Sequence, residues 1–568
     1  MKFILILGIF YVGYIESITN KKCDMDVNLR IDCHPGWFAN DKECKSRKCC
    51  WNVVQNNYPG CFFPDDTHFY HISEINAFNM KNTFYIYHAK LNDGLSNHAN
   101  INQITLNISV VNENILRWQI KDRWNKRWEI DIFNDNLNKL YEKGKTFNDF
   151  NGEIDLNANL IKLNVTKWDM NIFNSFEPLI YADQFIQFSI KINYNDWRMY
   201  GLGENYNLLQ LNQKNKFIRR NLWNHDDVPM ANNNLYGSHP FIIIAVKNRF
   251  FGYFLQNSNE IEIDISSNLI TFRILGGIVD VFIFSPSASL TDVLHQYFSI
   301  IGKPMIPPIW SLNYHLSRYG YGNDYAFTKV IERNDQKGIK IKTYWLDIDY
   351  MNQKRDFTLS EKFKRLPMII KKLHMMKKKI VIILDPGIYV DENYFPYVKG
   401  LEYQIFIKNS TNDNIIGKVW PGNVVYPDFT HTNVTKWWRS MINTFQTVVP
   451  FDGLWIDMNE LANFVDGSIY GCTINRYDNP QYIPHIMGHK LNYRTICMSS
   501  KYYKGIEYNI HNLYAYYEAK TTFKVMTEQS KLKPFILTRS SFSGIGKYSA
   551  LWSGDNQSKW DDLRRSIP

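Results

Sequence analysis

Between residues 68 and 298 apolar and polar positions tend to alternate in short runs. Ile104, Leu106, Ile108 and Val110 fall on one side of such a run, and 83–87, 185–190 and 272–275 repeat the texture. Period-two alternation bounded by Asn, Asp and Gly predicts antiparallel strands of a β-sandwich. The asparagine-rich stretches between the runs are turn formers. Past residue 303 the pattern changes. Short apolar stretches at 312–316, 341–348, 380–384, 454–458, 534–538 and 550–554 alternate with basic, helix-like segments. One of these segments, 361–379, carries Phe363, Leu366, Ile369, Ile370 and Leu373 at near-helical spacing. Strand–helix alternation of this kind predicts a parallel sheet covered on both faces. A (β/α)8 TIM barrel fits it best.

Composition agrees with a large folded protein. The chain has 568 residues, 45% hydrophobic and 21% charged, which excludes a disordered or fibrous chain. The formal charge of +10 is spread thinly, and basic runs are as short as Lys377, Lys378 and Lys379. No nucleic-acid partner is expected from that distribution. No nucleotide, flavin or metal motif stands out, so no cofactor and no metal are expected.

The amino terminus and the cysteines place the chain in the secretory pathway. Residues 3–15 are uncharged and mostly apolar. That run falls short of the ~20 residues of a spanning helix and suits the hydrophobic part of a signal peptide over 1–17. An uncleaved anchor is the other reading, and the one route to membrane association. Six of the eight cysteines lie between Cys23 and Cys61, and the others are Cys472 and Cys497. Such density predicts a disulfide framework, with fifteen possible connectivities among the six. A zinc site would want paired C-x2-C units, whereas here Cys49 and Cys50 are adjacent. Glycosylation sequons stand at Asn107, Asn164, Asn409, Asn433 and Asn556.

Candidate chemistry gathers at the carboxyl ends of the predicted parallel strands: Tyr319, Asp347, Asp385, Asp457 and Asp555. Barrels of this kind place their chemistry there. Trp345, Trp420, Trp455 and Trp552 lie close by. Aromatic faces beside carboxylates suit a sugar, whose ring stacks while its hydroxyls hydrogen-bond. Core packing is the competing explanation for the tryptophans.

Two resemblances sharpen this reading. The spacing Cys23, Cys33, Cys44, Cys49, Cys50, Cys61, with Trp51 after the adjacent pair and Phe62, Phe63 and Pro64 at the end, resembles the trefoil (P-type) module. It implies a trefoil at 21–66 with the pairs Cys23–Cys50, Cys33–Cys49 and Cys44–Cys61. The run Trp455, Ile456, Asp457, Met458, Asn459, Glu460 resembles the signature of glycoside hydrolase family 31, the α-glucosidases. Gly201 to Glu204, Arg318 to Tyr321, Asp347 to Met351, Leu384 to Pro386, Val419 to Gly422, Thr538 to Ser540 and Trp552 to Asn556 match in that family's order. The resemblance implies a galactose-mutarotase-like sandwich at 67–303 and a catalytic barrel at 304–568.

By the same resemblance, Asp457 is the nucleophile and Asp555 the general acid/base of a retaining α-glucosidase. It would remove terminal α-1,4-linked glucose from maltose-type oligosaccharides or fragments of starch and glycogen. Arg539 contacts the nucleophile, and Glu460 supports it through a structural hydrogen bond rather than a direct chemical step. Asp347 and Ile348 belong to the first glucose subsite and Asp226 to the next. Asp385, Trp420, Trp455, Met458, Phe464 and Trp552 line the pocket, with Tyr319 at its rim. A Cys472–Cys497 bond closes a loop after the fourth strand, and Asn556, beside the acid/base, stays unglycosylated.

Departures are visible. Leu461 and Ala462 follow Glu460 where the family commonly has Pro-Ser or Pro-Ala, and His225 stands where it often has Arg. An α-xylosidase, or an inactive secreted sugar-binding or truncated gene product, are the alternatives. Six of eight barrel strands can be placed before Pro568, so the sequence also reads as cut short within the helix after the sixth. Extracellular, lysosomal and membrane-surface fates all remain open.

Overall fold

A computed structural model of the protein describes residues 22–55, 57–76, 83–91, 100–141, 153–157, 161–231, 233–529 and 533–566. The expected signal peptide at 1–17 lies outside the described residues. Among them, no helix is long and apolar enough to cross a membrane.

Three disulfides hold the first unit together: Cys23–Cys50, Cys33–Cys49 and Cys44–Cys61. Its regular structure is slight, a helix at Asp41–Ser46 and the paired strands Cys50–Trp51 and Cys61–Phe62. A unit this small cannot bury enough apolar surface to fold without covalent staples.

Two antiparallel sheets follow, one of eight strands and one of seven. The strand Gln103–Asn112 shows the predicted alternation through its first half. Ile261–Ile265, Leu269–Ile274 and most of Val279–Ser287 are instead buried on both faces. Burial does not alternate there, although Ile261–Ile265 reads Ile, Glu, Ile, Asp, Ile, because the outer face is not solvated. On Ile261–Ile265 and Leu269–Ile274 it meets the segment around 475–512, and polar side chains there (Asn257, Ser258, Asn259, Glu260, Glu262, Asp264) are buried, whereas Val279–Ser287 is covered by helix Leu290–Ile301. Several bond across the seam: Asn259 donates to the carbonyl of Tyr508, and Tyr482 donates to Glu262.

The third unit carries a parallel sheet in the order His315–Leu316, Thr343–Leu346, Lys379–Leu384, Gly453–Ile456, Ile536–Thr538, Ala550–Leu551. These are the six strands read from the sequence, shorter at several ends. Helix Leu366–Met375 buries Leu366, Ile370 and Leu373, following the predicted spacing, and a single 3-10 turn at Glu361–Phe363 precedes it. Helix Val434–Val448 buries Val434, Trp437, Trp438, Met441, Ile442 and Phe445, a continuous stripe at helical period. Alternate residues of the strands turn to the other side, where Trp345, Val381 and Phe535 pack with Trp455 and Leu537. Trp345 therefore belongs to the inner packing of the curled sheet, with Trp455 edge-on at 6.0 Å.

Candidate active site

Each parallel strand ends by releasing a short loop, and the predicted polar residues sit on those loops. Asp347 follows the second strand, Asp385 the third, Asp457 the fourth and Arg539 the fifth. Asp555 lies four residues past the sixth strand, and Tyr319 three past the first. Register aligns the ends. The Asp457 N–H donates to the Leu384 carbonyl at 3.1 Å, and the Arg539 N–H to the Ile456 carbonyl at 3.2 Å.

Arg539 is the centre of the arrangement and only 3% exposed. Its Nε lies 3.0 Å from Asp457 Oδ1, and Nη2 lies 3.4 Å from Asp226 Oδ1. Nε and Nη2 each donate to Glu460 at 2.8 Å. Glu460 is thus engaged by both oxygens and fully buried. Asp226 reaches this centre from a sandwich loop. Its neighbour His225 is buried edge-on to Tyr493 at 5.4 Å, and burial lowers its imidazole to about 4. His225 therefore stays neutral where an arginine would carry charge.

Burial dominates the electrostatics. It pushes the Asp457 carboxyl up, while Arg539 and the Met458 N–H, 2.8 Å away, favour its charged form. Burial lifts Asp347 to about 6, against the Ile348 N–H that it accepts at 2.7 Å. Asp385 is raised well above the carboxylate range, first by burial and then by Asp356 and Asp457. Asp555 is exposed, yet near enough to Asp457 and Asp347 to add to the rise of both.

Aromatic residues frame these carboxylates. Trp552 stands edge-on to Trp455 at 5.4 Å, and Trp420 edge-on to Phe464 at 4.9 Å. Trp420 is 43% exposed and Tyr319 62%. Ile348 and Met458 are buried at the backs of their loops. Met458 Sδ lies 3.3 Å from Arg539 Nη2.

Behind this layer stand residues that sequence reasoning did not single out for a role. Asn459 donates to Glu518 Oε2 at 2.8 Å and to Thr538 Oγ1 at 3.0 Å, and accepts from the Ser540 N–H at 2.9 Å. It ties the fourth strand's loop to the fifth. Burial raises Glu518 to about 8 and Glu204 to about 7. Asn459 and Glu204 stood inside quoted motifs, so their positions were visible. Glu518 sits in helix Tyr514–Gln529 and had no local signal.

The remaining expected positions are also placed. Cys472 and Cys497 are bonded and close the loop after the fourth strand. Asn107 and Asn164 are half-buried on strands, and Asn433 Nδ2 donates to the Tyr403 carbonyl at 3.3 Å. Asn409 Oδ1 caps its own turn by accepting from the Thr411 and Asp413 N–H groups. Asn556 is exposed beside Asp555.

Comparison with known proteins gives a consistent picture. Residues 304–568 match the glycosyl hydrolases family 31 TIM-barrel domain. Residues 105–264 match the glycosyl hydrolase 31 N-terminal galactose mutarotase-like domain, and 23–64 the trefoil (P-type) domain. The chain is 34% identical to lysosomal alpha-glucosidase of Rattus norvegicus, over 96% of this chain and 58% of that protein. It is 35% identical to intestinal sucrase-isomaltase of Homo sapiens, over 95% of this chain and 30% of that protein. It therefore spans less than two thirds of the length of these relatives. Among solved structures, the glucosidase II alpha subunit bound to Glc1Man2 aligns with a TM-score of 0.70 at 20% identity, covering 88% of this chain and 61% of that one. The family 31 alpha-glucosidase of Bacteroides thetaiotaomicron aligns with a TM-score of 0.55 at 29% identity, covering 67% and 59%.

Proposed function

Because this chain belongs to glycosyl hydrolase family 31, we propose that it is a retaining α-glucosidase acting on the non-reducing end of maltose-type oligosaccharides. The observation that carries the reading is the Arg539 centre: one buried guanidinium 3.0 Å from Asp457 and 2.8 Å from Glu460, with Asp555, on the sixth strand's loop, near enough to Asp457 to raise it.

Retention of configuration requires two carboxyl groups about 5–5.5 Å apart. Asp457 attacks the anomeric carbon as the bond to the leaving oxygen breaks. Asp555 delivers its proton to that oxygen, and a glycosyl ester of Asp457 results. Water then attacks the same carbon, Asp555 takes its proton, and the ester bond opens to release glucose. Arg539 favours the ionised nucleophile through charge and hydrogen bonding. Glu460 fixes that guanidinium in the plane of its two 2.8 Å bonds. Asp347, buried and drawn up to about 6, suits hydroxyl recognition in the first subsite. Asp385, beside it, serves the same subsite. Trp420, Trp455, Trp552 and Phe464 offer apolar faces to the sugar ring, with Tyr319 at the rim. Asp226 extends the contact to the second sugar, with a neutral His225 behind it.

The trefoil and the four disulfides suit an oxidising compartment, so the protein is placed in the secretory pathway. Asn409, in an exposed turn, is the sequon best presented for modification.

The test is hydrolysis of maltose and of nitrophenyl α-glucoside and α-xyloside by the purified chain. Glucose should be released first as the α-anomer, seen by NMR, and Asp457→Ala should abolish it. Release from the xyloside alone, or initial release of the β-anomer, would overturn the assignment.

A further inference from the structure

Tyr236 lies on a sandwich loop, far in sequence from either catalytic carboxylate, and is 1% exposed. Three parts of it reach the barrel. The Arg539 guanidinium carbon sits over its ring, 5.1 Å from the centroid, in a cation–π contact. Its hydroxyl accepts from the Asp555 N–H at 3.1 Å. Its carbonyl accepts from Ser540 Oγ at 2.7 Å and from the Ser541 N–H at 3.3 Å. The next residues, Gly237–Ser238, pair in parallel with Ser541–Phe542. Gly554 shows how closely the sixth strand's loop rests on the ring. A Cβ there would lie 2.0 Å from Tyr236 Cε2, and the residue has φ +68°. Only glycine suits both conditions.

We infer that Tyr236 is a positioning residue that holds the nucleophile and the acid/base in one frame, its ring seating Arg539 and its hydroxyl tethering the backbone of Asp555. The inference rests on the roles proposed for Asp457 and Asp555. Its physical basis is the contrast between the two carboxylates. Asp457 is fixed by Arg539, the Met458 N–H and the adjoining strands. Asp555 is exposed, and the other hydrogen bonds around it, among Ser553, Gly554 and Asn556, are local. The phenol is thus the long-range tether of that turn among the described residues. Burial pushes the phenol up, so it remains neutral and keeps both faces of the contact. A displacement of about 1 Å in a catalytic group is enough to lower a rate on the order of 10²-fold.

Tyr236→Phe in the full chain removes the hydroxyl and keeps the ring. Two substrates separate a positioning role from a general loss of fold. Maltose has a poor leaving group and needs the proton from Asp555, whereas a dinitrophenyl α-glucoside has a leaving group that departs without it. The expected result is a kcat on maltose lower by about tenfold or more, with the aryl glucoside nearly unaffected. A thermal midpoint close to wild type should accompany it. Equal losses on both substrates, or no loss on either, would overturn the role of Tyr236. A wild-type chain that hydrolyses neither would instead overturn the glucosidase reading, and this role with it. Should Tyr236→Phe fail to fold, Gly554→Ala displaces the turn with the hydroxyl intact. It should show the same selective loss on maltose, and an unselective loss would count against the inference.

Discussion

Two clusters of buried charge occupy this molecule, and they differ in how their guanidiniums are shared. At the strand ends a single guanidinium, Arg539, meets Asp457, Glu460 and Asp226, with Asp347 and Asp385 close by. At the seam between trefoil, sandwich and barrel, two guanidiniums share their partners. Arg219 meets Asp32, Glu262 and Asp264, and Arg273 meets Glu262 and Asp264. His485, on the barrel's disulfide-closed loop, adds an Nδ1 contact of 2.8 Å to Glu262. Around the single guanidinium, burial wins and pKa values rise: Asp347 to about 6, Glu460 to about 7 and Glu518 to about 8. Where both guanidiniums and His485 converge on one carboxylate, Glu262 is held well below the carboxylate range despite equal burial. Asp32 and Glu260, buried in the same seam, are raised, their burial outweighing the arginines near them. An under-neutralised carboxylate keeps a proton within reach of working pH, while a neutralised one fixes charge. Neither buried charge nor a raised carboxyl alone therefore marks a functional site; the place of the first cluster at the carboxyl ends of the parallel strands does.

The sharpest break between the clusters should come from removing one carboxylate in each. Asp457→Ala is expected to lower kcat on the order of 10⁴-fold or more, as loss of a nucleophile does. Glu262→Gln should leave kcat within about twofold, since the seam touches no reacting atom. Glucose release from maltose measures both. Residual turnover in Asp457→Ala near the wild-type rate would erase the distinction.

Removing the cations should affect stability in both places but catalysis in one. Arg539→Met and Arg273→Met each strand buried carboxylates, at a cost of about 3–5 kcal/mol. Denaturant titration reads this loss. Only Arg539→Met should also collapse activity, because of the two arginines it is the one that touches Asp457, the proposed nucleophile, at 3.0 Å.

The pH dependence should have opposite signs. Glu518 is raised from 4.5 to about 8, so the folded chain keeps a proton that the unfolded chain releases. Its contribution to stability is complete below about pH 4.5 and is lost as pH rises toward 8. Glu518→Gln, which keeps a neutral side chain, should therefore be more stable than wild type at pH 8 by on the order of 4 kcal/mol, with the gap closing by pH 4. Glu262 is lowered from 4.5, so its contribution is present above that value and is lost as pH falls. Glu262→Gln should accordingly be less stable than wild type at neutral pH, with the gap narrowing in acid. Thermal midpoints across pH would show the two trends crossing.

The smallest effect concerns the outer edge of the seam. Trp37 of the trefoil lies 4.3 Å from His485 and 4.4 Å from His489. Trp37→Ala should cost about 0.5–1.5 kcal/mol and leave hydrolysis unaltered. A fall in kcat would mean that the trefoil reaches the site through the Cys472–Cys497 loop.

Much of this was legible before any coordinates. Strand ends near Asp347, Asp385 and Asp457 could be read because a parallel strand is a short, continuous apolar run that stops at a polar residue. The six cysteines of the trefoil signal a framework through density alone. Sandwich strands such as Ile261–Ile265 alternate as Ile, Glu, Ile, Asp, Ile and so read as half-exposed, and only the structure shows Glu262 and Asp264 buried against Arg219 and Arg273.

The division follows from distance along the chain. Local pattern determined which segments are strands and helices, which loop ends carry carboxylates, and that the amino-terminal cysteines form a disulfide framework. Each of these depends on neighbours within a few residues. Tertiary structure alone decided that Arg539 serves Asp457, Glu460 and Asp226 together, that Glu518 supports Asn459 from a helix, and that Tyr236 of the sandwich lies beneath two barrel loops. Those contacts join residues 59 to 319 positions apart. No periodicity or spacing reports them, because their energy depends on which side chains share a buried volume once the sheets have closed.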